Sequence, residues 1–322
     1  MSTFYIQAFS NTQEKRDKKS NKEQKDFSSQ VSQSKVPLSK LQDQFPLPPI
    51  NERLAKEMIT DILKDEVIKT GTRKVVVGLS GGIDSALSYR LATLAFGTEN
   101  VLAILMPYKL SSSSSIEDAL ELLKQTGGQY EKIEITSMAD AYFHSYHITD
   151  KLRMGNVLAR LRMIVLYDIS ARENALVIGT SNKTEMLLGY STLWGDMASA
   201  VNPIGDLYKT QVRALARYLD IPKSILDKPP SADLWEGQSD EKELQTTYDF
   251  ADRILYAYTD QMKPETQILK EIKTNIPEQL EVAKRLMNRI KKMQYKRKLP
   301  IIVKLSHRTI GREFRYPRDW NL

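Results

Sequence analysis

At 322 residues with 41% hydrophobic side chains, the chain can bury one large core or two modest ones, which excludes a fibrous or wholly disordered protein. It holds no cysteine, so disulfides, thiolate metal sites and a cysteine nucleophile are excluded. The net charge of +7 is local: from Lys284 onward 13 Lys and Arg stand against Glu313 and Asp319, a net +11, which leaves the rest at −4.

The opening "MSTFYIQAFS" lacks the charged start and apolar core of a secretory signal, and no apolar run approaches the roughly 20 residues of a membrane-spanning helix. A cytoplasmic protein without a membrane partner is the expectation. Residues 1–45 are polar and nearly free of apolar periodicity, and are read as a disordered extension before a folded domain over 46–322. "FPLPPI" (45–50) stiffens the entry, and Leu54, Met58, Ile59, Ile62 and Leu63 form a helical stripe that ends at Gly71.

Strands and helices then alternate. "KVVVGL" (74–79) is an apolar β-branched run suited to a strand covered on both faces, and "DSALSYRLATLAF" is a helix. "VLAILM" (101–106) is a second strand, "SIEDALELLKQT" a serine-capped helix, and "KIEIT" (132–136) a third strand. His144 and His147 are read on one helix face, without the further ligands a metal site needs. A long helix centred on "VLARLRMIVLYDIS" leads to a fourth strand, "ALVIGT" (175–180), and the region after 240 is mainly helical. The βαβαβαβ order predicts an α/β protein: a Rossmann-like open, mostly parallel sheet with helices on both faces, plus a helical C-terminal part that ends in a basic tail over about 284–322. Ligands of such sheets sit at the carboxyl ends of the strands.

The first strand runs into "GLSGGIDS", Gly78, Leu79, Ser80, Gly81, Gly82, Ile83, Asp84 and Ser85. The spacing is wrong for a G-x-G-x-x-G dinucleotide fingerprint, and Ile83 and Asp84 stand where G-x-x-x-x-G-K-[ST] has its lysine and hydroxyl. Two glycines let the backbone turn N–H groups toward an anion at the start of a helix, and Ser80 and Ser85 add hydroxyls. Asp84 would repel a bare phosphate, so a cation between them, most simply Mg2+, is expected. A plain strand–helix turn with a helix-start aspartate shares the two glycines but not the whole string.

That string resembles the ATP pyrophosphatases, whose S-G-G-x-D-S loop binds the pyrophosphate part of ATP and whose nucleotide product is AMP. Together with "GNVLARLRM" (155–163), "IGTSNKTEMLLGYSTLWGDM" (178–197), "NPIGDLYKTQV" (202–212) and "KPPSADLWEGQSDE" (228–241), the chain from about Arg53 onward resembles the NAD synthetase family. The resemblance implies amidation of deamido-NAD with ammonia through an adenylate, with ATP as co-substrate. It also implies an ATP site of residues 78–85 with Thr180, Lys209 and Ser231, metal carboxylates Asp84 and Glu185, and dinucleotide contacts at Arg160 and Lys296. Asp84 and Lys209 would carry catalysis, and a homodimer is implied in the same way. The family's substrate-loop lysine and aspartate are Leu193 and Ala200 here, and a histidine before the tail lysine is Tyr295. With no cysteine and about 50 residues before the matching part, glutamine hydrolysis in this chain is not expected. Free ammonia, or ammonia from a separate amidase partner, is. The rival readings are an ATP pyrophosphatase acting on RNA or another carboxylate, whose basic regions would grip nucleic acid, and a non-catalytic nucleotide-binding protein. The set Asp84, Glu185 and Lys209 speaks against both.

Overall fold

The computed structural model describes residues 38–231, 239–305 and 307. In chain order its main elements are α1 (Leu38–Gln44), α2 (Glu52–Ile68), β1 (Val75–Gly78), α3 (Ile83–Phe96), β2 (Val101–Leu105), α4 (Ser113–Thr126), β3 (Gln129–Lys132), α5 (Thr136–Ser145), α6 (Lys151–Glu173), β4 (Leu176–Ile178), α7 (Lys183–Leu188), α8 (Lys209–Tyr218), α9 (Lys223–Asp227), α10 (Asp240–Leu244), α11 (Tyr248–Thr259), α12 (Glu265–Asn275) and α13 (Leu280–Lys292).

The four strands are parallel in the order β3-β2-β1-β4, with Val75 opposite both Val101 and Leu176. Val75, Val76 and Val77 are all but inaccessible, the reason their run shows no polar alternation. Because successive strand side chains point to opposite faces, Val75 and Val77 enter a core with α2, α3, α4 and α8, while Val76 enters one with α5 and α6. A third core lies away from the sheet, where Leu41 and Phe45 pack with Leu188 of α7 and with α10 to α13. The expected α/β architecture with a helical C-terminal part holds.

Several local expectations are corrected. The polar extension does not run to residue 45 as a disordered segment: Leu38–Gln44 is helical, and Leu41 and Phe45 are buried in the third core. Residues 1–37 lie outside the described residues, as do 306 and 308–322 of the basic tail. The third strand is 129–132 rather than 132–136. Its exposed edge position needs no apolar run, and Ile133 and Ile135 still donate N–H bonds to Leu105 and Pro107. On α2, capped by Asn51 at 3.0 Å from the Leu54 N–H, Leu63 and Val67 face the core while Leu54, Met58 and Ile62 stand exposed. His147 is not on the helix of His144; it follows the end of α5 with φ +48°.

Phe45 is 1% exposed, its carbonyl accepts from Arg253 Nη1 at 3.1 Å, and the Lys263 ammonium lies 5.4 Å from its ring centroid. Phe45→Ala is therefore expected to lower stability by roughly 3–5 kcal/mol. A denaturant midpoint at the native value would show that α1 is not part of the fold.

Candidate active site

The sheet order reverses between β1 and β4: the chain steps outward from β1 to β2 and β3, then returns to the other side of β1. At this switch point the carboxyl ends of the strands open into a cavity of about 1000 Å³. All eight residues of Gly78–Ser85 line it, as do Thr180, Glu185, Lys209, Ser231, Arg160 and Lys296. Every site residue expected from the sequence thus faces one space.

The glycine loop is braced from within. Gly81 has φ +78°, and a Cβ there would sit 2.0 Å from the Ser115 carbonyl oxygen, so no other residue fits that turn. The serine hydroxyls, expected to face an anion, pair with each other at 3.0 Å; Ser85 Oγ also bonds the Gly82 carbonyl at 3.0 Å and the Ser80 N–H at 3.2 Å. Leu79 donates its N–H to Ile104 and so extends the strand ladder. The first-turn N–H groups of α3 have no intrahelical partner and are left for an anion to meet.

Charge is concentrated beside this loop. Glu185 lies in the first turn of α7, inside a capping box: its N–H donates to Asn182 Oδ1 at 2.9 Å and its Oε2 accepts the Asn182 N–H at 3.3 Å. The same Asn182 side chain donates from Nδ2 to Asp84 Oδ1 at 2.8 Å. Lys209, first residue of α8 and 3% exposed, donates Nζ to Asp84 Oδ2 and, at 3.2 Å, to Glu185 Oε1. Burial works against its charge, but the Asp84 and Glu185 carboxylates outweigh that and hold the ammonium well above its ordinary pKa. Burial first, then repulsion from Asp84, pushes Glu185 up to about 8, with Lys209 pulling the other way. One ammonium does not offset two buried acids, which is why Glu185 takes up a proton so readily and why the site has room for further positive charge.

That shortage is the fit test for a cation. Asp84 and Glu185 offer an oxygen-only donor set from two neighbouring strand ends, and no group of three or more His, Cys, Asp or Glu gathers among the described residues. Two carboxylates with most positions left to water and phosphate suit Mg2+, which dehydrates reluctantly. The residues fit the ion.

Also on the cavity wall, Arg160 donates to the Leu193 carbonyl at 3.2 Å, and Lys296 to the carbonyls of Gly189 and Ser191 at 2.8 and 2.5 Å. Burial lowers the Lys296 pKa. Leu193 and Tyr295 line the cavity; Ala200 instead donates its N–H to Val177 along the sheet.

Sequence reasoning missed several residues. The N-x-x-E spacing of Asn182 and Glu185 is a capping-box signal that was there to read. Arg213, one helical turn beyond Lys209, also lines the cavity. Lys228 bonds Ser115 Oγ and Asp118 Oδ2, both at 2.9 Å, and so ties the segment that carries Ser231 to the first turn of α4. No sequence signal marks that contact.

Comparison with known proteins fits this geometry. The family described as NAD synthase matches residues 55–300. The chain belongs to the NAD synthase family. It is 52% identical over 271 residues to an NH(3)-dependent NAD(+) synthetase of Chlorobium phaeobacteroides (strain BS1), covering 84% of this chain and 96% of the relative. Among solved structures it resembles the NH3-dependent NAD synthetase of Campylobacter jejuni, with TM-score 0.66, 38% identity, and 79% of this chain and 100% of that one covered. An NMN synthetase of Francisella tularensis aligns with TM-score 0.68 at 32% identity, over 79% of this chain and 99% of that one.

Gly81→Ala tests the loop directly. The added methyl collides with backbone rather than with a flexible side chain. ATP binding is expected to weaken by at least about tenfold while the cores stay packed. Unchanged ATP affinity by calorimetry would show that the turn does not shape the phosphate site.

Proposed function

We propose that this chain makes NAD by ATP-dependent amidation of deamido-NAD with ammonia, releasing AMP and pyrophosphate. The observation that carries the reading is the buried Asp84–Lys209–Glu185 cluster beside the S-G-G-I-D-S loop at the sheet's switch point. The names of the relatives supply the substrate class, and the chemistry of the cluster supplies the reaction type.

In the first step a nicotinate carboxylate oxygen bonds to the α-phosphorus of ATP, and the bond from that phosphorus to the bridging oxygen breaks. Negative charge grows on the departing pyrophosphate. The first-turn amides of α3 and the Lys209 ammonium face that charge, and Thr180 and Ser231 hydrogen-bond ATP. Lys209 stays protonated throughout: with ATP present it exchanges its carboxylate partners for phosphate oxygen. Asp84 and Glu185 would hold Mg2+, which supplies charge neutralisation at the phosphates when bound. In the second step ammonia nitrogen bonds to the acyl carbon, AMP departs with the former carboxylate oxygen, and a proton is released. Arg160 and Lys296 bind the dinucleotide's anionic groups; Lys296 keeps a third N–H beyond its two carbonyl bonds. The nitrogen is ammonia, free or from a separate amidase partner, since this sequence holds no cysteine nucleophile for hydrolysing glutamine itself.

The enzyme acts as a cytoplasmic homodimer in this reading. Leu152, Ile164 and Tyr167 are exposed along α6, the helix that also carries Arg160, so a second copy would cover them beside that residue. No helix among the described residues is long and apolar enough to cross a membrane. A second reading, nicotinate mononucleotide as substrate, is favoured by the resemblance to a protein named NMN synthetase.

Incubation with ATP, Mg2+, ammonium and deamido-NAD is expected to yield NAD and AMP in equal amounts, and faster than nicotinate mononucleotide yields its amide. ADP as product would overturn the reaction type, and preference for the mononucleotide would favour the second reading. Asp84→Asn is expected to lower kcat by about 10²–10³-fold with the fold intact. Ile164→Glu is expected to shift the sedimentation mass toward a monomer, and an unchanged mass would remove α6 from any interface.

A further inference from the structure

Asp252 lies on α11, is fully buried, and does not line the cavity, yet its carboxylate joins the starts of the two helices that carry Glu185 and Lys209. Its Oδ1 accepts from Thr184 Oγ1 at 2.6 Å, and its Oδ2 accepts from both the N–H and the Oγ1 of Thr210 at 2.8 Å. Thr184 Oγ1, having donated to Asp252, accepts the Lys209 N–H at 3.0 Å. Thr184 is the residue before Glu185, and Thr210 the residue after Lys209.

We propose that Asp252 is a positioning residue: through Thr184 and Thr210 it fixes the spacing of Glu185 and Lys209, and with it the geometry in which the cluster receives MgATP. The inference rests on the roles proposed above for those two residues. The four bonds form one connected network that sets backbone to backbone, the level at which a carboxylate–ammonium distance is set. A carboxylate is required because donors approach both of its oxygens, whereas an amide presents an acceptor on one side only. Its place at two helix starts favours negative charge. Burial pushes the Asp252 carboxyl up to about 6, while the Thr184 and Thr210 donors and the Lys209 charge pull it back, so it is mostly ionised at neutral pH. Thr184, Thr210 and Asp252 do not line the cavity, so their effect must pass through Glu185 and Lys209.

The test uses the full-length enzyme with Thr184→Val, Thr184→Ser and Asp252→Asn, and Glu185→Gln as the control. The readouts are MgATP affinity by calorimetry, kcat, and KM for deamido-NAD. Thr184→Val keeps the volume but removes the hydroxyl that links Asp252 to the Lys209 amide. It is expected to weaken MgATP binding by about tenfold and lower kcat by about 10–100-fold, with KM for deamido-NAD within about twofold. Thr184→Ser restores the hydroxyl and is expected to stay within about threefold of the native enzyme. Asp252→Asn should resemble Thr184→Val; should it fail to fold, the threonine pair decides alone. Native MgATP affinity and kcat in Thr184→Val would overturn the proposal. So would an equal loss in Thr184→Ser, which would assign the effect to methyl packing. If Glu185→Gln leaves MgATP affinity unchanged, the metal reading beneath the proposal fails. If Glu185→Gln loses affinity and Thr184→Val does not, only the positioning role of Asp252 fails.

Discussion

The burial of one ammonium between two carboxylates is the constraint from which the rest of the site follows. Lys209 is 3% exposed, so its charge has lost nearly all of its water. Desolvation of that size is offset only by close partners with good geometry, and removing one partner of such a pair costs about 3–5 kcal/mol. Asp84 and Glu185 are those partners, and they come from the ends of two neighbouring strands: Asp84 follows β1 and Glu185 follows β4. The parallel sheet is therefore more than a scaffold. Its reversal of strand order brings two carboxylates to one point, and α8 delivers the lysine to them.

The same arrangement explains how a loop without a lysine can serve phosphate. A lysine inside the glycine loop would be held next to Asp84 and could not leave it. Lys209 arrives on a separate helix, so its partners can change while its backbone stays fixed. Lys209 pairs with the same two acids that the proposed mechanism gives to a metal. An incoming polyphosphate with its cation can then exchange partners without any charge being left bare. A mobile ammonium, strongly hydrated and with three rotatable donors, suits this exchange better than a guanidinium fork.

How much of this was legible in the sequence depended on whether the signal was local. β1 could be read because a central parallel strand must be apolar on both faces, and the glycine loop because a positive φ and a backbone contact demand glycine. β3 was misplaced because an edge strand can be polar and exposed. α1 was missed because only Leu41 and Phe45 anchor it, too few to show a period amid lysine, serine and glutamine. Asp252 carries no signal at all. It lies between Asp249 and Arg253, which pair with each other, and reads as another solvated helix acid, although it is fully buried. Its bonds reach 68 and 42 residues back along the chain.

Helix α7 shows why such distant bonds are needed. At six residues it is too short to be stable alone, because nucleation in water costs more than so few bonds return. Both of its ends are held from elsewhere. At the start are the Asn182 capping box and Thr184 on Asp252. At the finish, Arg297 takes the carbonyls of Met186 and Leu187, Arg289 that of Leu188, and Lys296 that of Gly189, so the last carbonyls are all met by cations. Gly189 closes the turn with φ +60°, packed so closely on Met293 that a Cβ would meet it at 2.5 Å. The basic residues of this C-terminal segment thus have a structural task. They fasten the end of the helix that presents Glu185, and the C-terminal segment is coupled to the acid cluster through six residues of backbone. A change in the tail can therefore reach the ATP site without touching ATP.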